Sequence, residues 1–176
     1  MQINCVTTGA LDENCYVLKK DKTCLVIDPG DDYLKIKEQI GDAKVLGVLI
    51  THSHFDHVGA LRNFLTKRSI KIFKKSISPA GCYEIGNFKF EVIETPGHAS
   101  DAITFYFPEE QVMFDGDFIF KETIGRVDLP GGSSKDMEES LYKIKNYPHD
   151  VKIYPGHGES TTLKYELENN QYLKEL

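Results

Sequence analysis

The sequence predicts a mixed α/β fold in which sheets are layered under helices, and three observations carry that expectation. Short β-rich segments outnumber helical ones, helical patterns punctuate both halves, and a nearly continuous apolar run at Val45–Ile50 passes through a short polar loop into helically spaced apolar residues. The segments Ile3–Thr7, Cys15–Lys19 and Thr23–Ile27 fit antiparallel strands, the last closed by the turn-forming Asp28-Pro29-Gly30. Asp31 or Asp32 is placed to cap a helix whose Tyr33, Ile36 and Ile40 lie three and four apart, and Gly41 stops it. Val45–Ile50 reads as a strand covered on both faces, followed by a helix carrying Val58, Leu61, Phe64 and Leu65. In the second half Ile70–Phe73, Phe88–Ile93, Ala102–Phe107, Gln111–Phe114 and Val151–Tyr154 read as strands. Met137, Leu141 and Ile144 mark a helix begun near Ser133 or Ser134, and Thr162 caps a last one.

Composition narrows the function. A length of 176 residues fits one domain spanning 1–176, and 40% hydrophobic with 27% charged residues is a globular balance. Twenty-one basic against 27 acidic residues leave a formal charge of −6, the wrong sign for holding nucleic acid by charge. Cys5, Cys15, Cys24 and Cys82 form no C-x-x-C pair and read as small buried hydrophobes of a reducing compartment. Neither a leader pattern nor a long apolar stretch is visible, so the expectation is a soluble, cytoplasmic chain that acts on a small molecule, with no nucleic acid and no membrane as partner.

The chemistry concentrates in Thr-His-Ser-His-Phe-Asp-His, residues 51–57, where the apolar strand gives way to a helix. In an extended segment His52 and His54 point to the same side, and Asp56 and His57 follow at the turn. Four potential metal ligands therefore converge on one corner, a density that a polar loop with incidental histidines does not explain. His98 in Thr-Pro-Gly-His and His157 in Tyr-Pro-Gly-His-Gly each follow a strand through a Pro-Gly turn that presents the ring at a sheet edge. Asp115 and Asp117 flank Gly116 just past an apolar strand, and either is placed to reach the same edge. His149 lacks this context and reads as surface.

These motifs, in this order, resemble the metallo-β-lactamase superfamily, in particular its glyoxalase II-like thioester hydrolases. Asn14-Cys15-Tyr16, Ile27-Asp28-Pro29-Gly30 and the stretch Ile124–Gly132 carry the resemblance over nearly the whole chain. What it implies is a single-domain αββα sandwich with a two-metal site at one edge. His52, His54 and His98 would hold the first ion, Asp56, His57 and His157 the second, and Asp117, the acid directly after a Gly, would bridge them. Asp56 and Asp117 then become the catalytic carboxylates of a hydrolase that uses a bridging hydroxide as nucleophile. The donor set suits Zn²⁺ and is compatible with Fe or Mn, and paired cations lower the pKa of a shared water from 15.7 to about 7. No Ser or Cys nucleophile is required.

Departures from the family matter too. Only about one helix of chain follows His157, which leaves no C-terminal helical domain for glutathione, and β-lactam cleavage is disfavoured for want of any other likeness to that branch. Asp28 is the first candidate to orient a ligand histidine, with a plain turn Asp as the alternative. Arg126 and Asp128 are expected to brace their loop, and Asp115 either tunes the metals or faces solvent. A one-iron persulfide dioxygenase, or a metal-binding protein without catalysis, are the alternatives to a thioester hydrolase.

Overall fold

The computed structural model describes residues 1–66 and 69–176. Two sheets lie face to face. The first has five strands, β1 (Gln2–Thr8), β2 (Glu13–Lys20), β3 (Thr23–Ile27), β4 (Lys44–Leu49) and β5 (Lys71–Phe73), in sequential order. As expected, β1 to β3 pair antiparallel, while β3, β4 and β5 run parallel because helical segments return the chain between them. Those segments are α1 (Tyr33–Ile40), α2 (Phe55–Val58) and α3 (Arg62–Leu65).

The second sheet takes β6 (Gly81–Ile85), β7 (Phe88–Glu94), β8 (Ile103–Phe107), β9 (Val112–Gly116), β12 (Lys152–Pro155) and β13 (Thr161–Thr162), ordered β13-β12-β9-β8-β7-β6. A small hairpin, β10 (Ile119–Phe120) with β11 (Thr123–Ile124), and the helix α4 (Ser134–Ile144) lie between β9 and β12, so those two strands pair parallel. The chain ends in α5 (Leu163–Asn169) and α6 (Gln171–Lys174).

Strand alternation builds three apolar layers. In β3, Leu25 and Ile27 face the second sheet, where they meet Phe88, Phe90, Phe105, Phe107 and Phe114, while Cys24 and Val26 face outward against Ile36, Ile40 and Phe64 of α1 and α3. On the far side Met113 and Ile153 pack under Met137, Leu141 and Ile144 of α4. The result is the αββα sandwich. No helix among the described residues is long and apolar enough to cross a membrane.

Several elements differ from expectation for identifiable reasons. The single helix expected through Val58–Leu65 is two short ones, because the Ala60 N–H donates to the Pro29 and Gly30 carbonyls at 3.0 and 2.9 Å and leaves the helical ladder. Asp32 starts α1 without capping it; its carboxylate accepts from the Gly9 N–H and the Lys35 ammonium instead. The last helix breaks at Asn170, whose backbone is extended and whose side chain caps α6. Strand β6 was not among the expected strands; it pairs with β7 across Gly86-Asn87, a two-residue hairpin turn between Ile85 and Phe88. Of the cysteines, Cys15 and Cys24 are buried as expected, whereas Cys5 and Cys82 are exposed.

The inter-sheet layer is aromatic and close-packed. Phe90 contacts Phe73, Phe105 and Phe107 with ring centroids 5.1–5.9 Å apart, the edge-to-face range. Phe90→Ala should therefore destabilise the fold by about 3–5 kcal/mol, the cost of a large cavity in an interior that cannot collapse. Denaturant unfolding checks this; a loss under about 1 kcal/mol would mean the layer is loosely packed.

Candidate metal centre

The parallel strand pairs aim their C-terminal ends at one edge of the sandwich, the position where open α/β sheets place ligands. From β4 come Thr51, His52 and His54; from the turn into α2 come Asp56 and His57; from the loop after β7 comes His98. The end of β9 supplies Asp117 and the end of β12 supplies His157. All seven residues named in the sequence meet there, and the exposed His149 does not.

They form two groups. In the first, His54 Nδ1 lies 3.1 Å from His52 Nε2 and 2.9 Å from His98 Nε2. Three ring nitrogens around one point are close to the spacing of roughly 3.3 Å that metal–nitrogen bonds of 2.0–2.1 Å impose in a tetrahedral shell. In the second, His157 Nε2 is 3.2 Å and His57 Nε2 is 3.8 Å from Asp56 Oδ2. Asp117 stands between the groups: Oδ1 is 3.3 Å from His57 Nε2 and 3.7 Å from His157 Nε2, while Oδ2 is 3.5 Å from His98 Nε2.

Hydrogen bonds behind the rings fix which nitrogen faces the pocket. Nδ1 of His57, His98 and His157 abuts the Asp28 carboxylate at 3.0 Å, the Arg126 carbonyl at 2.8 Å and the Leu11 carbonyl at 3.0 Å. A carbonyl or carboxylate oxygen accepts, so each Nδ1 carries a proton and each ring turns its Nε2 toward the pocket. Asp28 also accepts from the Thr51 N–H and hydroxyl, which leaves the Thr51 oxygen to accept from His52 Nδ1 at 3.1 Å. One buried carboxylate in the Asp-Pro-Gly turn thus orients His57 directly and His52 through Thr51.

Two glycines make the close approach possible. A Cβ on Gly116, whose φ is +57°, would fall 2.3 Å from Thr51 Oγ1, and one on Gly156 would fall 2.4 Å from Asp117 Oδ1. His57 Nε2 and Asp117 Oδ1 are buried without any hydrogen-bond partner, an arrangement that costs free energy unless a cation fills the space between them. The donor set, five imidazoles and two carboxylates with orphaned atoms aimed inward, fits divalent metal ions.

The charge balance agrees. Burial alone would lower the His57 pKa, but the carboxylates of Asp117 and Asp28 beside it outweigh that and hold it up at about 11. Burial likewise opposes the charge on Asp117, yet the His57 contact brings it down to about 2. Burial, with His57 beside it, pushes His52 down to about 2, and burial with His98 lowers His54. The metal-free pocket therefore sets neutral His52 and His54 and a protonated His57 around a carboxylate that keeps its charge.

Asp115 neither faces solvent nor points at the ring nitrogens; it is buried and accepts from the Ile119 N–H at 3.0 Å, which holds the turn that presents Asp117. Its carboxyl is pushed well above the usual range by burial. Arg126 and Asp128 pair through two 2.7 Å hydrogen bonds, the bracing role expected of them. A residue the sequence reading missed is Glu13, fully buried with Oε1 3.8 Å from His57 Nδ1; burial, with Asp28 beside it, pushes its carboxyl up to about 9. At the mouth, Leu11, Phe55, Leu129 and Arg126 surround the donors in a cleft of about 380 Å³.

This fold and this site belong to a class of metal-dependent hydrolases. The chain is a member of the metallo-β-lactamase superfamily, whose profile matches residues 8–80 and 75–157. It is 27% identical to hydroxyacylglutathione hydrolase GloC of Haemophilus influenzae, over 98% of each chain. Among solved structures, the BLEG-1 B3 metallo-β-lactamase overlays with a TM-score of 0.88 at 28% identity, covering 98% of this chain and 99% of that one. TTHA1623 in a di-iron-bound form overlays at 0.82 and 30% identity, covering 97% and 100%.

Because the metal-free His57 is held protonated, a cation that takes its Nε2 must displace that proton, and affinity should rise with pH until the raised pKa is passed. Zinc added to the metal-free protein at pH 7.5 should release at least one proton per chain, measured by calorimetry in buffers of different ionisation enthalpy. Binding with no proton release would remove His57 from the ligands.

Proposed function

We propose that the chain is a dinuclear metal-dependent thioester hydrolase acting on small acyl thioesters such as S-lactoylglutathione. The observation that carries it is the split of Asp117, one oxygen toward the His57 and His157 rings and the other toward His98. His52, His54 and His98 would hold one divalent ion and Asp56, His57 and His157 the other, with Asp117 shared. Such a pair supplies a water of lowered pKa and a Lewis acid for the substrate carbonyl.

The protein's own groups then have defined tasks. Asp28 and the carbonyls of Leu11 and Arg126 keep the Nε2 lone pairs of His57, His157 and His98 aimed inward, while Thr51 relays Asp28 to His52. Asp56 adds the negative charge that distinguishes the second group from the all-imidazole first. The cleft admits substrate between Leu11, Phe55 and Leu129, which present apolar surface beside the reacting centre. A thiolate leaving group needs no strong general acid, and the His and Asp side chains that line the cleft are all proposed ligands. The name of the Haemophilus relative, hydroxyacylglutathione hydrolase, supports this reading. The β-lactamase overlay supports a second reading, in which the same centre opens a cyclic amide.

Asp56→Asn should lower thioester hydrolysis by about 10²-fold or more with the fold intact, as loss of an electrostatic stabiliser does. Steady-state rates on S-D-lactoylglutathione and on a chromogenic cephalosporin, with oxygen uptake on glutathione persulfide, decide among the reactions. The proposal predicts that the thioester is cleaved with the highest kcat/KM. Faster cephalosporin opening, faster oxygen consumption, or full activity in Asp56→Asn would contradict it.

A further inference from the structure

Glu13 opens β2 with its side chain wholly inside the protein, in a place where the proposed reaction gives it no task. Its Oε2 accepts from the Thr8 hydroxyl at 2.8 Å, and the Thr8 oxygen in turn accepts from the Asp31 N–H at 3.0 Å. Its Oε1 has no hydrogen-bond partner and faces the Nδ1 edge of His57 at 3.8 Å, the edge that Asp28 already holds. An anchored carboxyl with one oxygen left free against a ring is an expensive arrangement unless it acts on that ring.

The same short stretch reaches the other groups of the second cluster. The Glu13 backbone bridges to that of His157, and Leu11, two residues earlier, accepts from His157 Nδ1. Asn14 donates from its side chain to the Pro155 and Gly158 carbonyls at 3.2 and 2.9 Å. Gly30 fills the gap between Glu13 and Asp56 so closely that a Cβ there would lie 2.4 Å from Glu13 Oε2 and 1.9 Å from the Asp56 carbonyl. By contrast, no described contact joins Glu13 to His54 or His98.

We infer that Glu13 is a positioning residue for the second metal site alone: with Asp28 it forms a two-carboxyl backing to His57 that holds the ring where its Nε2 meets Asp56 and His157. The inference rests on the two-metal reading of the site. Groups one layer behind metal ligands typically contribute 10–100-fold to metal affinity; Glu13 makes no hydrogen bond to His57 and acts on it by standing against the ring beside Asp28.

The test is a Co²⁺ titration of the metal-free protein, followed by visible absorption and by metal count, on wild type, Glu13→Gln, Glu13→Leu and Thr8→Val. Glu13→Leu should weaken the second ion by about 10–100-fold and leave the first within about 2-fold. Glu13→Gln keeps an oxygen against His57 and should stay within about 3-fold of wild type at both sites. Thr8→Val, which frees Oε2 but retains the carboxyl, should fall between them. A Glu13→Leu protein that takes both ions as wild type does, or that weakens both equally, overturns the inference, as does a Glu13→Gln protein as impaired as Glu13→Leu. If Glu13→Leu does not fold, wild-type second-ion affinity in Thr8→Val overturns it. Wild type that takes one ion only would sink the two-metal reading itself, an outcome distinct from two ions bound independently of Glu13.

Discussion

A single carboxylate pinned between two sets of imidazoles is the constraint on which the rest of the site depends. Asp117 has no freedom to turn away, because Gly116 and Gly156 bring backbone to within contact of it and a side chain at either position would collide with the site. Its Oδ1 and His57 Nε2 are buried with nothing to satisfy them. In the metal-free protein a proton on His57 Nε2 faces Asp117 Oδ1 at 3.3 Å and eases the arrangement only in part, since the Nδ1 protons of His57, His98 and His157 are committed to acceptors behind the rings. Cations resolve it. The parallel strand pairs, the Pro-Gly turns and the aromatic layer between the sheets together hold seven polar side chains at one rigid edge.

Support for the site runs across the sandwich. Asp28 follows β3 in the first sheet, yet it orients His57 beyond β4 and, through Thr51, His52. Asn14 and Tyr16 of β2 donate to carbonyls of Pro155 and Gly158 in and after β12, the strand that delivers His157 in the second sheet. The two halves of the donor set are thus registered against each other by hydrogen bonds at the sheet edges as well as by the apolar interior. An edge built this way stays open to solvent while its ligands are fixed, which suits a centre that must admit and release small molecules.

Most of this was legible because the chemistry is dense in sequence. His52, His54, Asp56 and His57 lie within six residues, and His98 and His157 share a Pro-Gly context that is readable without a structure. The choice of Asp117 over Asp115 was not readable from periodicity: the two flank Gly116 at the end of one strand, and the turn there sends Asp117 to the ring nitrogens while Asp115 accepts from the Ile119 N–H. Glu13 was invisible for a different reason. A lone Glu at the start of a strand, next to a polar turn, looks like surface, and its burial arises from contacts with Thr8, Gly30 and His57 that fold together from three separate segments. The break between α2 and α3 was hidden in the same way, since it depends on the carbonyls of Pro29 and Gly30 rather than on any residue within the helix.

The measurement that bears most directly on this account is the number and position of metal ions in a crystal of the protein grown with excess Zn²⁺, read from anomalous scattering at the zinc edge. The account predicts two peaks per chain, one among His52, His54 and His98 and one among Asp56, His57 and His157, each within bonding distance of a different oxygen of Asp117. A single peak at full occupancy, or two peaks with Asp117 turned away from either, would contradict it.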